Sequence, residues 1–236
     1  MFTFNEADIM ALVSPVFWPF LRILAGFSSA PIFSARSVPM RSRVALAMLV
    51  AICAQAGLPD QPVIGLNDSR AMGVVLQQVV IGIAIGLAVR IVFAAVELAG
   101  EVIGLQMGLN YAGFFDPASG GQATAPSRFF GTVVGLLFIV INGHLLVVAA
   151  LVQSFHAFPV GPEPFGLLRA LQPQVWGAEI FAIGLWIALP LIGMLLFVNL
   201  VLGIISRVAS QMNVFAIGFP VTLGVGLIGV LLTLPM

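Results

Sequence analysis

Lysine is absent from this chain. Its nine basic residues are all arginines, and nine acidic residues balance them to a formal net charge of zero. Without a basic tract there is no electrostatic track for a phosphate backbone, which argues against nucleic acid as a partner. Cysteine is nearly absent as well: Cys53 stands alone within an apolar block. A single thiol cannot close an intramolecular disulfide or build a cysteine-based metal cluster. The two histidines, His144 and His156, are twelve residues apart with no carboxylate at ligand spacing, so they read as hydrogen-bonded structural residues and no metal is expected. A P-loop, GxSxG, HExxH, a dinucleotide fingerprint and paired catalytic carboxylates are all missing. No catalytic residue or cofactor is therefore assigned, the chain is not read as an enzyme, and energy for any transport must come from elsewhere. The N-terminus also lacks a basic n-region: Glu6 and Asp8 stand in its place, and Pro15, Pro19 and Arg22 interrupt the apolar stretch behind them. The first segment is thus expected to remain in the mature protein.

What is there is apolar. Hydrophobic residues make up 61% and charged residues 8%, with a mean hydropathy of +1.16, against about 45–50% apolar and about 25% charged in globular chains. A soluble core cannot absorb that excess, and the pattern implies an all-α membrane protein in contact with lipid, read as one membrane-embedded domain over residues 1–236. A span needs about 20 mainly apolar residues, and six blocks qualify as candidates: 9–33, 44–58, 71–109, 129–153, 178–205 and 214–236. They are uneven, since 44–58 is short and 71–109 as one helix would be roughly 58 Å long. Pro190 and the run from Gly218 through Pro220 to Gly226 are expected to kink or break helices. If all six blocks crossed, Arg36, Arg41, Arg43, Arg128 and Arg207 would share one side, and the positive-inside rule would make that side cytoplasmic and the N-terminus external.

Several interior residues suit lipid poorly: Arg22, Gln77, Gln78, Arg90, Asn142, His144, Glu179 and Asn199. Polar groups at membrane depth face protein or a water-filled cavity. The pairs Gly82/Gly86, Gly100/Gly104/Gly108 and Gly131/Gly135 show the small-xxx-small spacing that lets helix backbones approach. Both signals indicate a chain built to pack against other helices. Glu97 and Glu101 share a helical face with Gly104 and Gly108. That pair reads as a partner-docking stripe, a proton relay, or simply acids that are solvated or capped by arginine. Arg36, Arg41 and Arg43 could likewise hold an acidic partner surface or act as a juxtamembrane topology signal.

One segment changes character twice. From Gln106, Met107, Gly108 and Leu109 it passes through Asn110, Tyr111, Ala112, Gly113, Phe114 and Phe115 to a turn at Asp116 and Pro117. An apolar, glycine-hinged loop suits a pore plug, because large side chains block a channel without attracting ions. From the pattern alone, a re-entrant turn buried among helices fits equally.

Six motifs in order carry a resemblance: Ala30-Pro-Ile-Phe-Ser-Ala-Arg36-Ser-Val-Pro39, Gly100-Glu-Val-Ile-Gly-Leu-Gln-Met-Gly108, Phe115-Asp-Pro-Ala118, Asn142-Gly-His144, Phe155-His-Ala-Phe-Pro159 and Phe215-Ala-Ile-Gly-Phe-Pro-Val-Thr-Leu223. Along its whole length the chain resembles the FliR/SctT export-gate family of flagellar and virulence type III secretion systems. The resemblance implies a gate subunit assembled with FliP-like and FliQ-like subunits and engaged by an FlhB-like protein. It implies kinked helical hairpins wound into a hetero-oligomeric conical channel that passes unfolded flagellar proteins across the inner membrane. It also implies that Gln106 through Pro117 help to plug the closed pore. The family pattern continues past the sixth block, where this chain stops at Met236. An injectisome gate subunit shares this architecture with different cargo. A secondary transporter or ion channel is the reading from another class, suggested by broken helices with Arg90 and Glu179 inside them.

Overall fold

The computed structural model describes residues 6–59, 62–65, 68–109, 123–161, 173–209 and 214–233. Among the described residues the regular structure is entirely helical. The elements in order are α1 (Glu6–Ser29), α2 (Met40–Ala54) with a 3-10 turn (Gln55–Gly57), α3 (Ala71–Gln106), α4 (Ala125–Val140), α5 (Gly143–Ala157), α6 (Pro173–Val208) and α7 (Val214–Thr233). The all-α expectation holds. Four stretches are long and apolar enough to cross a membrane: Met40–Gly57, Ala71–Gln106, Val175–Val208 and Ala216–Thr233; the bent pair α4 and α5 would make a fifth if it is one broken span.

The prolines expected to kink or break their helices do not break them. Pro190 lies inside α6 and Pro220 inside α7, and neither ends its helix. A proline removes one backbone hydrogen bond, whereas unwinding frees several groups that hydrocarbon cannot satisfy. The break falls instead within the block 129–153, where Asn142 adopts the left-handed conformation with φ 58° between α4 and α5. Asparagine tolerates that region better than most side chains do, so the motif Asn142-Gly-His144 marks a helix restart.

The chain divides into two compact units, residues 1–91 with 137–174 and residues 92–136 with 175–236, so that α3 and α4 each contribute to both. In the first unit, Ile23, Phe27 and Ala30 of α1 pack with Ala47 and Ala51 of α2 and with Val147 and Leu151 of α5. A second cluster joins Trp18 to Ala71, Val74, Phe155 and Val160. The helix α3 lies against α1 at Gly82 and Gly86: a Cβ on Gly82 would collide with the Arg22 carbonyl, and one on Gly86 with Ser29 and, at 2.7 Å, the Gly26 carbonyl. The small-residue spacing is used there as the sequence suggested.

Arg22 is fully buried in this unit. Its Nε donates to Gln78 Oε1 at 2.8 Å, Nη1 to Ser154 Oγ at 3.0 Å and Nη2 to the Phe158 carbonyl at 2.7 Å. The guanidinium also sits 3.7 Å from the centroid of the Phe155 ring. Gln78 donates in turn to Gln77 Oε1 at 2.9 Å, which also accepts the Gly161 amide at 3.2 Å. Among the described residues no carboxylate joins the cluster, so neutral acceptors and an aromatic face stabilise the cation. One planar fork thereby ties α1, α3, α5 and the segment after α5 together. Arg22→Leu should strand three acceptors and lower the stability of the detergent-solubilised protein by about 3 kcal/mol or more, read as a fall in Tm. Arg22→Lys should recover only part of it, because an ammonium cannot reproduce the fork.

Candidate functional site

The segment singled out from the sequence begins at the C-terminus of α3. Gln106 is the last residue of that helix, and Gly108 follows with φ 80°. The Leu109 amide bonds the Gly104 carbonyl at 3.1 Å and the Gly108 amide bonds the Leu105 carbonyl at 3.0 Å. This is a Schellman cap, with glycine at the position where a Cβ would be strained. Met107 is fully buried in the core of the second unit with Ala99, Ile103, Ala188, Leu191 and Leu195. Its carbonyl accepts a hydrogen bond from Thr222 Oγ1 of α7 at 3.2 Å. A Cβ on Gly226 would approach Met107 Cγ to 2.5 Å, so a larger residue at 226 would require the Met107 side chain to shift. Asn110, Tyr111, Ala112, Gly113, Phe114, Phe115, Asp116 and Pro117 lie outside the described residues.

The start of α4 is held by α3. Thr124 is the N-cap: its Oγ1 accepts the Ser127 amide at 3.4 Å, and its carbonyl accepts the Arg128 amide at 3.0 Å. In a capping box a glutamate at N3 would reach back to the N-cap amide. Here Glu101 of α3 takes that role from outside the helix, its Oε1 accepting the Thr124 amide at 2.9 Å. A carboxylate at a helix N-terminus also meets the positive end of the macrodipole. Ser127 Oγ donates to the Glu97 carbonyl at 3.0 Å. The approach is that close because of two glycines: a Cβ on Gly100 would lie 2.5 Å from Ser127 Cα, and one on Gly104 would lie 2.7 Å from Thr124 Oγ1. Of the third predicted pair, Gly131 would bring a Cβ to 3.2 Å from Glu97 Oε1, while Gly135 has nothing within 4 Å.

The five charged docking candidates separate. Glu101 is half-buried and engaged with α4, while Glu97 is exposed near Gly131. Neither is capped by arginine in the hydrogen bonds just described. Arg36 and Arg41 are exposed in the other unit, and Arg43 braces its own turn, its Nε donating to the Phe33 carbonyl at 3.0 Å. His144 Nδ1 is buried without a hydrogen-bond partner among the described residues. Sequence reasoning missed Thr124, Ser127 and Thr222. The string Thr124-Ala-Pro126-Ser127 carries a helix-start signal, a capping hydroxyl with proline in the first turn.

Between the two anchors lies an apolar cavity of about 350 Å³, lined by Met107, Leu109, Pro126, Phe129, Leu223 and Leu227 among others. Such a lining suits burial of apolar side chains and offers no group for acid–base or nucleophilic chemistry. Among the described residues no cluster of three or more histidine, cysteine, aspartate or glutamate side chains could hold a metal ion.

The sequence pattern of the bacterial export proteins, family 1, matches residues 13–236. The chain belongs to that family. It is 40% identical over 238 residues to the flagellar biosynthetic protein FliR of Pectobacterium carotovorum, covering 100% of this chain and 90% of that protein. It is 45% identical over 213 residues to FliR of Escherichia coli, covering 89% of this chain and 80% of that one. The likeness extends to FliR of Bacillus subtilis, at 30% over 216 residues, 89% of this chain and 82% of the relative. With its apolar helices, this family member is a multi-pass protein of the bacterial inner membrane.

The contacts at the loop base give a graded expectation. Glu101→Ala should cost about 1 kcal/mol of local stability, as loss of a capping acceptor does, and so speed hydrogen exchange of the Thr124 amide about fivefold. Glu101→Gln, which keeps an acceptor oxygen, should do less. Gly100→Ala should do more than either, because its methyl meets α4 backbone and no side-chain rotation relieves the clash.

Proposed function

We propose that this protein is a subunit of the flagellar type III export gate, located in the inner membrane at the flagellar basal body. With FliP-like and FliQ-like subunits, and engaged by an FlhB-like protein, it forms the channel through which unfolded flagellar proteins cross. The observation that supports this reading most directly is membership of the export family through the whole chain, at 40% and 45% identity to flagellar members. The geometry is compatible with it. A conduit requires shape and no reaction chemistry, and the second unit offers an anchored loop base with an apolar cavity beside it.

In this reading Gln106 to Pro117 contribute to the plug, with Met107, Gly108 and Leu109 serving as its fixed root and the bulky residues Tyr111, Phe114 and Phe115 supplying the obstruction. Of the five docking candidates, exposed Arg36, Arg41 and Glu97 are the ones left for neighbours. Large apolar side chains exposed on α6, such as Phe181, Trp186 and Phe197 at 68%, 79% and 67%, give further surface for helices or lipid. Removal of residues 110–117, which spares Met107 and the Thr124 cap, should raise ion permeability of cells expressing the assembled gate and disturb flagellar export. Unchanged leakage together with unchanged export would remove the plug assignment.

A further inference from the structure

Between Asp8 and Asp60 the sequence holds no acidic residue, yet three of its nine arginines fall in the eight positions from Arg36 to Arg43. The structure sets them on a fixed turn. Phe33 stacks on Phe27 of the first unit's core with ring centroids 4.3 Å apart. Half-buried Arg43 ties the start of α2 to that turn through the bond from its Nε to the Phe33 carbonyl, and the Val38 amide bonds the Ala35 carbonyl at 3.0 Å. Arg36 and Arg41 are exposed, and among the described residues neither makes a hydrogen bond or an ion pair. The exposed residues Ser37 and Ser42 stand next to them in sequence and add two hydroxyl donors.

The described acids of this unit are too distant to neutralise the pair. Glu6 and Asp8 open α1, and Asp8 is about 32 Å along that helix from Ser29 at 1.5 Å per residue. Asp68 precedes α3, whose first residue packs with Trp18, itself about 16 Å along α1 from Ser29. Both separations exceed a Debye length of about 10 Å. Glu97 and Glu101 belong to the other unit, where they lie against α4.

Past Arg43 the character of α2 changes: from Val44 to Ala54 no side chain is more polar than a thiol. Arg41, Met48 and Ile52 form one exposed row at helical spacing, and Ser42, Leu46 and Leu49 form the row beside it. The outer face thus carries donors at one end, followed by about 16 Å of apolar helix. One leaflet supplies half of a hydrocarbon core of about 30 Å, so the apolar length is that of one leaflet. An acidic protein surface would satisfy the arginines and leave those rows unmatched.

We propose that Arg36 and Arg41 hold the phosphate of an anionic phospholipid whose acyl chains lie along the exposed face of α2. The guanidinium fork takes two phosphate oxygens in parallel hydrogen bonds, and the rigid turn lowers the cost of ordering the donors. The site needs only the membrane location of the chain, so it stands apart from the export reading, and it gives Arg36 and Arg41 a lipid neighbour.

The test counts lipids by native mass spectrometry on the full chain, with any co-purifying subunits, in a neutral detergent to which phosphatidylglycerol or phosphatidylcholine is added. Wild type should hold its first phosphatidylglycerol about thirtyfold more tightly than the choline lipid, as expected for two arginines near a headgroup. Arg36→Gln with Arg41→Gln should abolish that preference, and Arg36→Lys with Arg41→Lys should keep most of it. Arg70→Gln with Arg207→Gln, which removes the same charge elsewhere, should leave it unchanged. If the first double variant does not accumulate, Arg41→Gln alone should cut the preference about fivefold. No preference in wild type, or equal loss in the Arg70 and Arg207 variant, overturns the site. A preference that survives Arg36→Gln with Arg41→Gln also overturns it; if co-purifying subunits are lost at the same time, the arginines serve an acidic protein surface instead. Displacement of phosphatidylglycerol by an equal concentration of inorganic phosphate means a free-anion site and overturns the lipid as occupant.

Discussion

Close approach of backbones to α3 is the constraint from which the rest of the structure follows. Where the surroundings are as apolar as the helices, burial of aliphatic side chains gives little net reason to associate, and tight packing with hydrogen bonds must supply it. Glycine makes that packing possible. Gly82 and Gly86 admit the backbone of α1, and Gly100 and Gly104 admit the start of α4. At the second contact the short distance is what brings the Thr124 amide within reach of Glu101 and the Ser127 hydroxyl within reach of the Glu97 carbonyl. Replace the glycines and these hydrogen bonds lose their geometry before any change in their own chemistry.

Polar side chains then divide according to whether the chain satisfies them itself. Arg22, Gln77 and Gln78 are buried and bonded to one another, to Ser154 and to the backbone after α5. That cluster orders helices distant in sequence, because a guanidinium fixes three directions at once. Glu101 spends its charge on a helix N-terminus, a partner with no formal charge but a favourable dipole. Arg90, Glu179 and Asn199 stay exposed on their helices. The self-satisfied groups each order helices within one unit, and the exposed ones do not take part in that packing.

Helical blocks were legible because long apolar runs have few other solutions, and the glycine spacing gave two of its three contacts correctly. Polarity at depth was legible as an anomaly, though not its resolution: Arg22 and Arg90 look alike in sequence, and only tertiary placement shows that one meets Gln78 and Ser154 while the other is exposed on its helix. Of the two outcomes expected at Pro190 and Pro220, a kink or a break, the break is absent, because no water competes for the groups that unwinding would free. Asn142 went unread as a break because its left-handed conformation depends on one residue between two apolar runs. The role of Glu101 was invisible for a different reason. It completes a cap 23 residues away, and capping patterns are recognised only at local spacing.

The two anchors of the proposed plug are physically unlike. On the α3 side, Met107 is buried, its carbonyl holds Thr222, and its side chain occupies the space left by Gly226. Withdrawing it would break a buried hydrogen bond and leave a void lined by side chains that cannot collapse freely. On the α4 side, the hold is one carboxylate on one amide with two hydroxyl contacts, a cap worth about 1 kcal/mol with a dipole term of similar size. A force on the intervening segment is therefore resisted unequally, and the Thr124 end yields first.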